Sequence, residues 1–170
     1  MAQSLARRLP DAEATAQLGI TLAGVLLNMA PARLAVYFDG ELGAGKTALI
    51  RSLLAGLGHQ GRVPSPTYTL VEPYLVDRFR VLHVDLYRLR DPAELDHLGL
   101  ADELGLADES GRGSLLLAEW PTCGEGRLPP ADLECHLAIE GAGRLVRLTA
   151  LTDAGSAVLS KLDQALQAEI

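Results

Sequence analysis

Gly40-Glu41-Leu42-Gly43-Ala44-Gly45-Lys46-Thr47 is a complete G-x-x-x-x-G-K-[ST] signature, and its flanks decide the fold. Leu34-Ala35-Val36-Tyr37-Phe38-Asp39 before it is apolar and rich in β formers, and Ala48-Leu49-Ile50-Arg51-Ser52-Leu53-Leu54 after it has helical spacing. The pattern predicts a strand that feeds a Gly-rich turn, which opens a helix. In such a turn the glycines let backbone N–H groups converge on phosphate oxygens, and the positive end of the new helix adds to that field. Lys46 is expected to reach the β- and γ-phosphates of a nucleotide and Thr47 to offer its hydroxyl to Mg²⁺, while Gly40, Glu41, Leu42, Gly43, Ala44 and Gly45 form the cradle. A Gly-rich strand-to-helix turn that binds nothing is the bland alternative, but strand, loop and helix all agree with the signature.

Working outward, 170 residues suit one domain over 1–170, and 48% hydrophobic residues suit a globular chain with a real core. The longest apolar-leaning stretch, 18–35, is interrupted by Asn28, Pro31 and Arg33, so it reads as a buried helix and no membrane span. Residues 1–10 carry Arg7 and Arg8 without the apolar run of a signal peptide, so the expected location is the cytoplasm. A net charge of −7 argues against holding nucleic acid by bulk electrostatics, so any such role would need a partner. Cys123 and Cys135 have no metal-ligand spacing and read as incidental. Charge is uneven: Arg62, Arg78, Arg80, Arg88 and Arg90 stand against three acids in 61–90, whereas 91–110 holds seven acids and no Lys or Arg. Solvated faces or a docking surface would both produce this.

Asp11 can cap a first helix running to about residue 29, with Leu18, Leu22, Val25 and Leu26 as its apolar stripe. Pro64-Ser65-Pro66-Thr67 is a rigid entry to an alternating strand over 68–74, which Pro73 marks as an edge. Residues 80–85 read as a more central strand, and Asp91-Pro92-Ala93-Glu94 as a helix start. A short buried strand over 114–119 follows, then a hairpin of 133–139 and 145–151 about Gly141-Ala142-Gly143, then a last helix capped by Asp153 and running to about 168. The sum is a three-layer α/β nucleotide-binding fold of the P-loop NTPase kind, with a mixed sheet that turns antiparallel at its C-terminal hairpin.

Mg²⁺ takes oxygen ligands in an octahedron and keeps several waters, so a phosphate loop needs a carboxylate at the end of a neighbouring strand. Asp85 ends His83-Val84-Asp85 and Glu119 ends Leu117-Ala118-Glu119. Asp85 is assigned to the metal shell, and Glu119 to the metal shell or to orienting the attacking water; surface acids at strand ends are the plain alternative. Thr67 and Thr69 stand where a loop could fold over the γ-phosphate, though β propensity alone would also place threonine there. Trp120 either stacks at the site or packs, and His83 reads as a packed or supporting residue. Asp102-Glu103-Leu104-Gly105 fits D-x-x-G and Ser160-Lys161-Leu162-Asp163 partly fits N-K-x-D, but neither has the strand context a guanine-specific site requires.

Four segments in order carry a family likeness: the loop at 40–47, Ser65-Pro66-Thr67-Tyr68-Thr69-Leu70-Val71-Glu72-Pro73-Tyr74, His83-Val84-Asp85-Leu86-Tyr87-Arg88-Leu89, and Glu119-Trp120-Pro121. The first is common to many NTPases; the other three together are specific. They resemble the TsaE family, the YjeE-like small ATPases of bacterial threonylcarbamoyladenosine tRNA modification, over nearly the whole chain. The resemblance implies weak Mg-ATP hydrolysis coupled to the TsaD and TsaB proteins, which act on tRNA, so that tRNA is met only through the complex. By position it implies that Lys46 and Thr47 bind phosphate and metal, that Asp85 and Glu119 serve metal and hydrolysis, that Thr67 and Thr69 belong to a switch-like segment, and that Trp120 lies beside the site. Glu41 stands where many relatives have Asp, and Thr122 where many have an acid. A stand-alone small-molecule kinase and a nucleotide-sensing adaptor without turnover are the competing readings.

Overall fold

The computed structural model describes residues 2–105 and 109–170. Its organising element is β2 (Arg33–Asp39), in which Leu34, Ala35, Val36 and Phe38 are wholly buried. A strand apolar on both faces must be covered on both faces, which places it inside a parallel sheet. It pairs in parallel with β5 (Gly113–Glu119) on one side and β6 (Leu133–Glu140) on the other, and β5 pairs in parallel with β4 (Phe79–Asp85). β3 (Val71–Leu75), β7 (Gly143–Ala150) and β1 (Ser4–Leu9) add antiparallel strands, giving the order β1-β7-β6-β2-β5-β4-β3.

The two faces are covered unequally. Helices α1 (Ala12–Met29), α2 (Lys46–Gly56) and α4 (Asp153–Ala168) press Leu22, Leu26, Ile50, Leu53, Leu159 and Leu162 onto one face and form the large core. On the other face a 3₁₀ turn (Pro92–His97) and the short helix α3 (Leu100–Gly105) contribute Leu95, Leu100 and Leu104 to a thinner layer over Ala35, Val84, Leu116 and Ala118. Asp11 caps α1, its carboxylate accepting from the Ala14 N–H at 2.8 Å, and Ala30 in the left-handed region ends that helix before Pro31. No helix among the described residues is long and apolar enough to cross a membrane.

Asp132 fastens α4 to the sheet. Its carboxylate accepts from the Ala35 N–H at 2.8 Å and from the Thr152 hydroxyl at 2.7 Å, and the same Thr152 oxygen accepts from Gly155 N–H at 3.1 Å as the cap of α4. At Gly155 a Cβ would stand 1.9 Å from the Asp132 carbonyl oxygen. Gly155→Ala is therefore expected to push α4 off the sheet, destabilising the fold by about 2–3 kcal/mol. A lower urea midpoint at unchanged slope would report it, and an unchanged midpoint would contradict it.

Several local expectations are corrected. Residues 67–69 form a turn and β3 starts only at Val71, because Leu70 takes a left-handed φ of 64° that no strand continues through. β3 is an edge strand, as Pro73 suggested. The start at Asp91 opens a 3₁₀ turn, not an α-helix, although the capping box is complete. Thr152, not Asp153, caps α4. Strand β1 had no sequence signal, since Arg7 separates its two inward leucines, Leu5 and Leu9, and its place is set by backbone pairing with β7. Arg78 and Arg80 lie at the start of β4 and Arg88 and Arg90 beyond its end, and Arg80 is paired with Glu103 at 2.7 Å, so the arginine-rich stretch is split between opposite ends of one strand.

Candidate functional site

β2 delivers the chain into the loop at Gly40, whose φ of 141° only glycine tolerates and where a Cβ would lie 2.2 Å from the Leu137 carbonyl oxygen. Gly45, at φ 102°, caps α2 without any side-chain bond, which leaves the first N–H groups of the helix to other acceptors. Arg144, at the start of β7, braces the loop from outside: Nε donates to the Ala44 carbonyl at 2.8 Å and Nη2 to the Gly43 carbonyl at 3.0 Å. Nothing in the sequence pattern singles out Arg144, because the loop and the hairpin lie a hundred residues apart.

Lys46 is only 5% exposed. Its Nζ donates to the carbonyls of Gly40 (2.5 Å) and Glu41 (2.9 Å) and lies 4.1 Å from the centre of the Trp120 ring system. Burial pushes its pKa below the ordinary lysine value, while the surrounding carboxylates, Glu119 first and then Asp39, Asp85 and Glu41, pull it back up. Trp120 holds a left-handed φ of 55° directly after β5, and its indole meets Tyr87 at 4.8 Å between ring centres.

The register of β4 with β5 sets Asp85 opposite Glu119, at the C-terminal ends of two neighbouring parallel strands. Both carboxylates are buried. Glu119 Oε1 accepts from the Thr47 hydroxyl at 2.8 Å, and Oε2 is 2.7 Å from His83 Nε2. Asp85 Oδ2 accepts from the Ser65 hydroxyl at 2.8 Å, with the Thr67 hydroxyl at 3.4 Å, and Oδ1 accepts from the Tyr87 N–H at 2.9 Å. A cleft of about 250 Å³ joins these groups, lined by Leu42, Gly43, Gly45, Lys46, Thr47, Ser65, Thr67, Asp85, Glu119 and Trp120 among others.

Loop, lysine, both acids, Thr67 and Trp120 thus converge. Thr69 does not: it is exposed on the turn and is not among the residues lining the cleft. Ser65 was missed as a site residue, since a serine between two prolines reads as loop chemistry. Among the described residues no three His, Cys, Asp or Glu side chains converge on one point as a metal cage. The hydroxyl of Thr47 with Glu119 and Asp85 offers a few hard oxygens instead, a set that suits Mg²⁺, which keeps waters and takes phosphate oxygens as its remaining ligands. Neither cysteine is an activated thiol: burial and the nearby Asp85 and Asp39 raise Cys123, and burial pushes Cys135 up to about 12.

The family model for threonylcarbamoyl adenosine biosynthesis protein TsaE matches residues 9–146. The chain is 40% identical over 159 residues to the tRNA threonylcarbamoyladenosine biosynthesis protein TsaE of Haemophilus influenzae, an alignment covering 93% of this chain and 97% of that one. It is 32% identical over 105 residues to the protein of the same name from Rickettsia prowazekii, covering 61% and 68% of the two chains. The crystal structure of Bacillus subtilis YdiB matches with a TM-score of 0.71 over 96% of this chain and 97% of its own at 24% identity, a likeness of fold. With the family model spanning most of its length and one relative aligned nearly end to end, this chain belongs to the TsaE family of threonylcarbamoyl adenosine biosynthesis proteins.

Proposed function

We propose that this protein binds Mg-ATP in the cleft above the 40–47 loop and hydrolyses it slowly, as the ATPase subunit of a system that installs threonylcarbamoyladenosine in tRNA. One observation carries the reading: the Thr47 hydroxyl, at the mouth of the Gly-rich loop, donates to a buried carboxylate at the end of the adjacent parallel strand, with the Lys46 ammonium beside both. That is the arrangement a phosphate loop needs for a cation shared between protein and phosphate oxygens.

Each residue then has a definite task. Lys46 exchanges its bonds to the Gly40 and Glu41 carbonyls for the more strongly charged phosphate oxygens, and the loop N–H groups orient those oxygens. Thr47 would present its oxygen to the cation while its O–H keeps donating to Glu119. Asp85, held by Ser65, Thr67 and the Tyr87 N–H, completes the acidic side of the cleft, so Glu119 and Asp85 would hold the cation shell and orient water. Mg²⁺, when bound, supplies the charge that neutralises the β- and γ-phosphate oxygens. Trp120 closes one side of the lysine and restricts its range. Because Ser65 and Thr67 belong to the loop that leads into β3, contact with Asp85 ties that segment to the state of the site, as a switch requires.

The chain carries a net charge of −7, which suits a protein that reaches tRNA through partners, here TsaD and TsaB, and not by itself. Phosphate release should be measured for the purified protein alone and with TsaD, TsaB and tRNA, using ATP labelled on the γ-phosphate. Slow release alone, stimulated by the full set, is the expected result. Label transferred to a metabolite, or full activity without partners, would replace this reading with a kinase or a free-standing NTPase.

A further inference from the structure

His83 is completely buried, two residues before Asp85 on β4. Its register partner on β5 is Leu117, so Glu119 is its diagonal neighbour on the same face of the sheet, within reach of a long side chain. Nε2 lies 2.7 Å from Glu119 Oε2, while Nδ1 is buried with no hydrogen-bond partner among the described residues. Together these place the proton. On Nδ1 it would be a buried donor with no acceptor, a cost of about 1–3 kcal/mol, whereas on Nε2 it meets a carboxylate oxygen in a charge-assisted bond.

The two oxygens of Glu119 are therefore divided. Oε2 is occupied from the core by His83, and Oε1 is left to the Thr47 hydroxyl. A carboxylate on a flexible side chain has a free torsion at its end, and only a second bond stops Oε1 from rotating away from Thr47. A leucine at position 83 would fill similar space without leaving a nitrogen unpaired, so filling the core does not account for an imidazole here.

We propose that His83 is a positioning residue of this site: by donating Nε2–H to Glu119 Oε2 it locks the carboxylate so that Oε1 stays on Thr47 and on the water shell of a cation held there. The proposal rests on the function proposed above. The bond itself can be tested without any nucleotide, by imidazole ¹⁵N resonances of the full chain. Wild-type His83 is expected to carry its proton on Nε2, with that resonance moving in Glu119→Gln. A proton on Nδ1, or an Nε2 resonance indifferent to Glu119→Gln, overturns the proposal.

The role is tested by comparing wild type, His83→Gln and His83→Leu. The glutamine amide can donate from near the place of Nε2; leucine cannot. Affinity for a fluorescent ADP in EDTA is expected to stay within about twofold of wild type in both variants. The Mg²⁺ concentration for half-maximal turnover is expected to rise about tenfold or more in His83→Leu, as loss of a partner behind a metal ligand does, and to return most of the way in His83→Gln. Unchanged Mg²⁺ dependence in His83→Leu overturns the role, as does equal impairment of the two variants or a parallel loss of ADP affinity in EDTA. Should His83→Leu fail to fold, the imidazole spectrum and His83→Gln decide: a Mg²⁺ dependence in His83→Gln close to that of wild type is the expected result, and a tenfold rise there overturns the role. A wild-type protein that binds no Mg-nucleotide overturns the function reading, and the role with it, even where the spectrum shows the bond.

Discussion

Lys46→Ala is expected to lower ATP turnover by about 100-fold or more and to weaken nucleotide binding, while the thermal midpoint of the nucleotide-free protein stays unchanged or rises slightly. The two halves have one cause. The Lys46 ammonium is nearly out of solvent, and burial depresses its pKa against the pull of four carboxylates. A lysine with a lowered folded-state pKa is a liability while it is charged, below that pKa, and the penalty fades as pH rises through the interval up to its unfolded value. At neutral pH the penalty is in force. Alanine removes it together with two bonds to loop carbonyls, so the stability terms oppose each other. Binding has no such offset, because the positive charge proposed to meet the phosphates is lost outright. Calorimetric titration with ATP alongside thermal melts would check both halves, and a variant that binds and turns over ATP like wild type would remove the site from this loop.

Glu119→Ala is expected to cost more in stability than any other substitution in the cleft, about 2–4 kcal/mol, and also to abolish most turnover. The carboxylate accepts from two donors, the Thr47 hydroxyl and the His83 ring, and His83 is already short of a partner at Nδ1. Truncation leaves a wholly buried imidazole with neither nitrogen paired. Glu119→Gln keeps one acceptor oxygen for Thr47 or for His83, so most of the stability should return, while turnover stays low because the negative charge proposed to face the cation is gone. Urea denaturation of the two variants separates the effects. Equal midpoints for Glu119→Ala and wild type would show that the hydrogen bonds of this carboxylate do not stabilise the fold.

The strand-loop-helix unit was legible because its information is local. β2 is apolar on both faces, the glycines sit where positive φ values occur, and helical spacing begins at Lys46. The strand-end positions of Asp85 and Glu119 were legible for the same reason, since each closes an apolar run. Differences fell where the backbone departed from what local preference suggests. Thr69 looks like a strand residue beside Thr67, yet the left-handed turn at Leu70 carries it away from the cleft. Asp91 begins a fully capped helix that remains a 3₁₀ turn.

By itself the sequence determined the strand-loop-helix geometry at 40–47, the α/β class and the two acids at strand ends, because each follows from periodicity, glycine placement and apolar runs within ten residues or so. Only the tertiary structure decided that Arg144 braces the loop, that Ser65 holds Asp85, and that His83 and Thr47 share the two oxygens of Glu119. Those contacts join residues 20 to 101 positions apart, and what brings them together is the register of β4, β5 and the hairpin in one sheet together with the loops and the helix that meet at its edge, which no local pattern encodes.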